Sequence, residues 1–195
     1  CMSRSIGHCM TMGTASTMAV MVESLGLTLS GASAIPAADS RKKVMAQLSG
    51  RRIVEMVKEN LTIDKILTRE AFENAIMANS AVGGSSNFVI HLMAIAGRIG
   101  VELDLNDFDK LGSQIPLLLN LMPSGKYLME DFYYAGGLPV ILDQLKNKLH
   151  SNVITVTGKN HHANIKGNTD CYNNDVIATY EEPFKEAAGI VVVKG

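Results

Sequence analysis

The sequence predicts a helix-rich α/β chain, on three observations. Apolar residues recur every three or four positions through most of residues 10–149. Capping residues, Gly and Pro punctuate those stretches. Runs that could form strands are few and short, at 117–121, 153–157 and 190–193. The chain divides into a compact helical block over 1–149, a connecting segment over 150–189, and a first strand of something further over 190–195.

The first helix is expected over 10–26, where Met12, Ala15, Met18, Ala19, Val22 and Leu25 fall at helical spacing. Gly26 and Ser30-Gly31 end it, and the small residues 31–37 read as a loop. A second helix is expected from 38 to 59, capped by Asp39 or Ser40, with Val44, Leu48, Val54 and Val57 inward. Gly50 weakens its middle, so two helices meeting at a kink are an alternative. Thr68 caps a third helix, with Glu70 in its first turn and Phe72, Ala75 and Ile76 inward. Gly83–Asn87 is a loop, and the nearly all-apolar helix from Phe88 to Ile99 reads as a central element with His91 as a core histidine. Phe108, Leu111 and Ile115 mark a helix at 105–114, closed by Pro116. Leu117–Leu121 reads as a short buried strand, ended by Pro123-Ser124-Gly125. Gly136-Gly137 separates a short helix from one at 138–149, with Pro139 suited to its first turn. Val153–Thr157 reads as a strand, 158–175 as polar turns, and Ile190–Val193 as a β-branched run.

Composition excludes several function classes. The 195 residues suit one domain or slightly more. With 47% hydrophobic residues and a mean hydropathy of +0.13, a buried core is available. Eighteen Lys and Arg face nineteen Asp and Glu, a net charge of -1, which gives no electrostatic case for nucleic acid or an anionic membrane. No apolar run reaches the roughly 18 residues of a spanning helix. Three Cys, an odd count, make no disulfide framework and point to a reducing, cytoplasmic setting. Residues 1–10 lack the apolar core of a signal peptide, and Cys1 is an unusual start, as expected of a piece of something longer.

The densest signal is Gly7-His8-Cys9-Met10-Thr11-Met12-Gly13-Thr14-Ala15-Ser16-Thr17-Met18. A cysteine directly before a helix meets N–H groups and a dipole that favour the thiolate. Cys9 is therefore a candidate metal ligand or nucleophile, although a small buried hydrophobe is the plainer reading. The hydroxylated residues 11, 14, 16 and 17 permit close approach of a ligand. His8 is a poor dyad partner, because adjacent residues seldom point the same way. Gly83-Gly84-Ser85-Ser86-Asn87 before a helix suits an anionic group. It lacks the P-loop Lys and the dinucleotide-binding spacing, and an ordinary capping loop accounts for it as well. His161, His162 and Cys171 fit no zinc spacing and read as linker residues. Glu130-Asp131 compensates a helix dipole, and Arg41-Lys42-Lys43 forms a solvated face.

The Cys9 run, continued by Glu23-Ser24-Leu25-Gly26-Leu27, resembles the third cluster-cysteine motif of the dihydroxy-acid dehydratase / 6-phosphogluconate dehydratase family, in the wording of its sugar-acid branch. Ala71-Phe72-Glu73-Asn74-Ala75, the Gly83–Asn87 loop and His91-Leu92 resemble the family's next stretch. Asp109-Lys110-Leu111 with Pro116, Ala135-Gly136-Gly137, Thr155-Val156-Thr157-Gly158-Lys159, Pro183-Phe184 and Gly189–Gly195 follow in the family's order.

The resemblance implies the later part of a three-layer α/β/α N-terminal domain, ending at the start of a C-terminal β-barrel-like domain. It implies a lyase that removes water from a 2,3-dihydroxy acid to give a 2-keto-3-deoxy acid. An iron–sulfur cluster, [2Fe–2S] or [4Fe–4S], would act as Lewis acid on the C3 hydroxyl. Mg²⁺ on carboxylates and a carbamylated lysine would grip the substrate, and a serine would take the C2 proton. Only Cys9 carries over, as a cluster ligand. The other cysteines and the Mg²⁺ ligands belong to motifs upstream, the serine to one downstream, and neither Cys1 nor Cys171 has a ligand's context. Ser85, Ser86 and Asn87 would line or brace the site, and His8 would tune the cluster's surroundings. The implied partners are a small hydroxy acid and further copies of the protein, as a homodimer or homotetramer, with no nucleic acid and no membrane. Two rivals remain: a non-catalytic helical oligomerisation module, and a thiol enzyme using Cys9.

Overall fold

A computed structural model describes residues 4–187 and 190–193, so Cys1 and parts of the expected terminal strand lie outside the described residues. The elements in order are α1 (Thr14–Ser24), α2 (Ser40–Lys58), α3 (Ile63–Ile66), α4 (Arg69–Val82), α5 (Asn87–Ile99), α6 (Leu105–Gly112), α7 (Met129–Tyr134), α8 (Leu138–Gln144) and α9 (His161–Ile165). The helix-rich expectation therefore stands. The sheet of an α/β layer does not form among the described residues, which pair only through isolated bridges.

The reason lies in Leu117–Leu121. Leu117 pairs with Lys185, Leu119 with Ile177 and Leu121 with Tyr127, while the Leu118 N–H donates to the Ala81 carbonyl at 2.9 Å. An extended segment whose partner changes at each step builds no ladder. Val153–Thr157, the other expected strand, bends into a turn in which the Thr155 N–H donates to the Lys159 carbonyl and Val156 to Gly26. Residues 190–193 are irregular.

Local chemistry sets the helix ends. Thr68 caps α4 by accepting from the Ala71 N–H, and Gly83 closes it in the left-handed conformation. Asp39 caps α2, which runs through Gly50 without a break. Asp104 and Asp107 form a reciprocal capping box on α6. Pro139 sits in the first turn of α8.

The central helix is α4, not α5. Eleven of its fourteen residues are buried, and it touches α1, α5, α6 and α8. One core lies on its Met77, Ala78 and Ala81 side, against α7, α8 and residues 115–121. A second lies on its Phe72, Ala75 and Ile76 side, against α5 and α6, where Phe88 and Phe108 meet edge to face at 5.9 Å. Val153 joins the second core, while Ile165, Val176 and Ile177 join the first.

In contrast, α5 buries only Phe88, Leu92 and Ala96, a one-sided stripe at four-residue spacing, and His91 is exposed, not a core histidine. α2 turns Met45, Ser49, Arg52 and Met56 towards the body, while Val44, Leu48, Val54 and Val57 stay exposed. Spacing alone located these helices; it misassigned the buried face of α2 and placed α5 too deep.

Candidate functional site

Cys9 lies on an irregular stretch pinned by its neighbours. The Met129 N–H donates to the Met10 carbonyl at 2.7 Å, and the Met12 N–H to the Met122 carbonyl at 2.8 Å. Met10 and Met12 are buried, Thr11 between them is half-buried, and Cys9 is exposed. Arg4 ties the same stretch to Asp131 on α7. Because α1 begins only at Thr14, the expected position of Cys9 directly at a helix start is corrected: Met10–Gly13 intervene. The thiol pKa is still held below its usual value, by the Thr11 hydroxyl 3.2 Å from Sγ and then by the Thr11 backbone.

A cavity of about 230 Å³ opens beside Cys9. His8, Ser16, Ser33, Lys42 and Met129 line it with Cys9. The loop carrying Ser33 is held by Glu23, which is 1% exposed at the inner face of α1. Its carboxylate accepts from the Gly31 N–H at 2.6 Å and from the Ser33 N–H at 2.8 Å. Burial pushes the Glu23 pKa up, against those bonds and the charge of Lys42. Gly7, with φ +104°, passes so close to the loop that a Cβ there would lie 2.7 Å from that of Ala37.

Ser85 and Asn87 meet the first turns of α1 instead. The Asn87 amide donates to Thr14 Oγ1 at 2.7 Å, and the Ser85 N–H to Thr17 Oγ1 at 3.0 Å. Gly84 is required there: a Cβ would stand 2.0 Å from Asn79 Oδ1 and 2.8 Å from Thr17 Cγ2. Ser86 is exposed at the start of α5. None of these three residues lines the Cys9 cavity; α1's first turns lie between the two features.

Other expectations shift. His161 is half-buried, donates from Nε2 to the Ser24 carbonyl at 2.8 Å, and has its pKa lowered by that burial. Cys171 packs against the first core, with Sγ 3.5 Å from the Ile177 carbonyl. Ser33 was not singled out by sequence reasoning, Lys42 was read only as part of a solvated face, and Glu23 entered only through the family resemblance. Glu23 carried one readable signal, a carboxylate within an otherwise apolar helical stretch ahead of a loop of small residues.

The candidate site is thus an exposed thiol of lowered pKa beside a small cavity on a helical scaffold. The chain belongs to the dihydroxy-acid/6-phosphogluconate dehydratase N-terminal family, whose model matches residues 1–164. It is 56% identical over 196 residues to an L-arabinonate dehydratase of Rhizobium leguminosarum, covering 100% of this chain and 34% of that protein. It is 45% identical over 193 residues to a D-xylonate dehydratase of Caulobacter vibrioides, covering 98% of this chain and 32% of that one. To a dihydroxy-acid dehydratase of Methanosarcina barkeri it is 45% identical over 192 residues, covering 97% and 35%. The chain thus spans about a third of the length of the curated relatives it matches. No helix among the described residues is long and apolar enough to cross a membrane.

Proposed function

We propose that this chain is the Cys9-bearing portion of a hydro-lyase that dehydrates a 2,3-dihydroxy acid, of the sugar-acid kind, to a 2-keto-3-deoxy acid. The observation that carries this reading is the Cys9 thiol itself, exposed, lowered in pKa by Thr11 and set beside a small cavity, in a chain of this family. Such a thiol suits one ligand position of an iron–sulfur cluster, whose remaining ligands would come from elsewhere in the protein. When bound, the cluster supplies Lewis acidity towards a departing hydroxyl. The Thr11 hydroxyl favours the thiolate, the ligating form, and the buried Met10 and Met12 fix its backbone. The Mg²⁺ that the resemblance implies finds no set of three or more His, Cys, Asp or Glu among the described residues, so no step is assigned to it.

The thiol-enzyme alternative has less support. His8 turns Nδ1 to the Cys9 carbonyl at 2.8 Å, and the hydrogen-bond partner of Sγ is Thr11, not an imidazole. A reducing, cytoplasmic setting and a homodimer or homotetramer complete the proposal.

The test is an anaerobic absorption spectrum with iron and sulfide analysis of the longest native form of the protein, beside its Cys9→Ser variant. Visible cluster bands that weaken in the variant are expected. Absence of iron after anaerobic reconstitution overturns the reading.

A further inference from the structure

We propose that Glu23 and Lys42 are positioning residues for the Cys9 cavity: as a two-ended strap of opposite charge they fix residues 31–33, and with them the distance between the walls that receive the substrate. The inference rests on the hydro-lyase reading and adds to it residues that act on the site through a loop. One wall of the cavity belongs to α1, where Ala15 and Ala19 line it. Another belongs to the loop after α1, which contributes Ser33 and Ile35. Glu23 follows Ala19 by about one helical turn on α1. It is not among the residues that line the cavity, and its side chain reaches the loop instead.

The loop is held by its main chain in both polarities. The Glu23 carboxylate accepts from the N–H groups of Gly31 and Ser33, with the Ser33 hydroxyl beside it. From α2, the Lys42 ammonium donates to the Ala32 carbonyl at 3.2 Å. The anion thus takes the donors of this tripeptide and the cation takes its acceptor, the pairing in which charged groups bond most strongly. The two ends also support each other, because the charge of Lys42 favours the ionised form of a carboxylate that is almost wholly buried.

The residue types follow from this arrangement. An apolar side chain at 23 would leave two N–H groups without their acceptor. Glutamine offers one acceptor oxygen where the carboxylate offers two, and it turns an amide N–H towards a donor. Neither charge bonds to Cys9, whose thiol partner is the Thr11 hydroxyl at 3.2 Å. Loss of the strap therefore changes how the cavity fits a ligand and leaves the thiol as it was, an effect on KM with kcat preserved.

Kinetics and amide exchange of the longest native form, beside Glu23→Gln and Lys42→Met, test the proposal. The substrate is L-arabinonate or D-xylonate, whichever the parent turns over. For Glu23→Gln the expected result is a KM raised about tenfold with kcat within about twofold of the parent. Exchange at the Gly31 and Ser33 amides should quicken by about tenfold or more. An unchanged KM, or a fall in kcat alone, overturns the proposal, since general damage to the fold lowers the amount of working enzyme and leaves KM where it was. Lys42→Met stays informative where Glu23→Gln does not fold. Lys42 itself lines the cavity, so this variant is read at the Gly31 and Ser33 amides, whose acceptor is Glu23. Faster exchange there, reversed in Lys42→Arg, upholds a strap with two ends; unchanged exchange overturns it. If the parent dehydrates neither acid, the hydro-lyase reading fails by itself, and the exchange measurements still decide the strap in the same two ways.

Discussion

Helices α4 and α5 flank the same turn, yet their sequences and their surroundings are mismatched. α4 carries Arg69, Glu70, Glu73, Asn74, Asn79 and Ser80, and it is the most enclosed helix of the fold. α5 is almost wholly apolar and covers the second core from outside, with Ile90 69% exposed. Small residues explain α4. Ala71, Ala75, Ala78 and Ala81 let neighbours approach on several sides, and the buried polar groups of Asn74 and Ser80 find partners in the main chain. Asn74 exchanges two hydrogen bonds with the backbone of His150, and the Ser80 hydroxyl donates to the Ile76 carbonyl. What packs around a helix decides its burial, and a more apolar sequence does not by itself place it deeper.

The largest expected effect tests the enclosed helix. Phe72→Ala empties a fully buried site on α4 and should cost about 3–5 kcal/mol in denaturant unfolding. A loss below about 1 kcal/mol would show that the second core collapses around the gap and that α4 is less constrained than its neighbours suggest. At the turn between the helices, Gly84→Ala should cost about 1–3 kcal/mol, since its methyl must displace the buried Asn79 and Thr17. It should also loosen the Ser85–Thr17 bond, visible as faster amide exchange at Ser85.

A third test concerns the far end of α1, where His161 meets the Ser24 carbonyl. Its folded pKa lies below the usual 6.5, so the unfolded chain takes the proton first as pH falls. Its stabilising contribution is full above pH 6.5 and is lost as pH drops further. His161→Gln should flatten that part of the Tm–pH curve; an unaltered slope would assign it to other groups. The smallest effect belongs to the outer face of α5. Ile90→Ser should change stability by no more than about 0.5 kcal/mol, and a larger loss would mean that this face is covered in the intact protein.

The two helices also mark the boundary of what the sequence made legible. Caps at Asp39, Thr68 and Pro139 could be read because they act within a few residues of themselves. Which face a helix buries could not, as Val44 and Leu48 on α2 illustrate: the neighbour that decides comes from elsewhere in the chain. The strands at 117–121 and 153–157 failed for a related reason, since ladders need partners that no local run announces. At the candidate site, Cys9 stood out by its motif, whereas Ser33 lies 24 residues away in a loop of small side chains and gains meaning only through the cavity it shares with Cys9. Glu23 was visible as an odd carboxylate, but its role depended on two N–H groups supplied by that loop.

The clamp formed by Glu23 has a consequence for how such a protein diversifies. Because it grips the loop mainly by the amide groups of Gly31 and Ser33, most of the side chains from 31 to 35 are not part of the fastening. The loop is a frame with replaceable panels: a lineage can exchange the chemistry facing a new ligand one residue at a time while the frame keeps its shape.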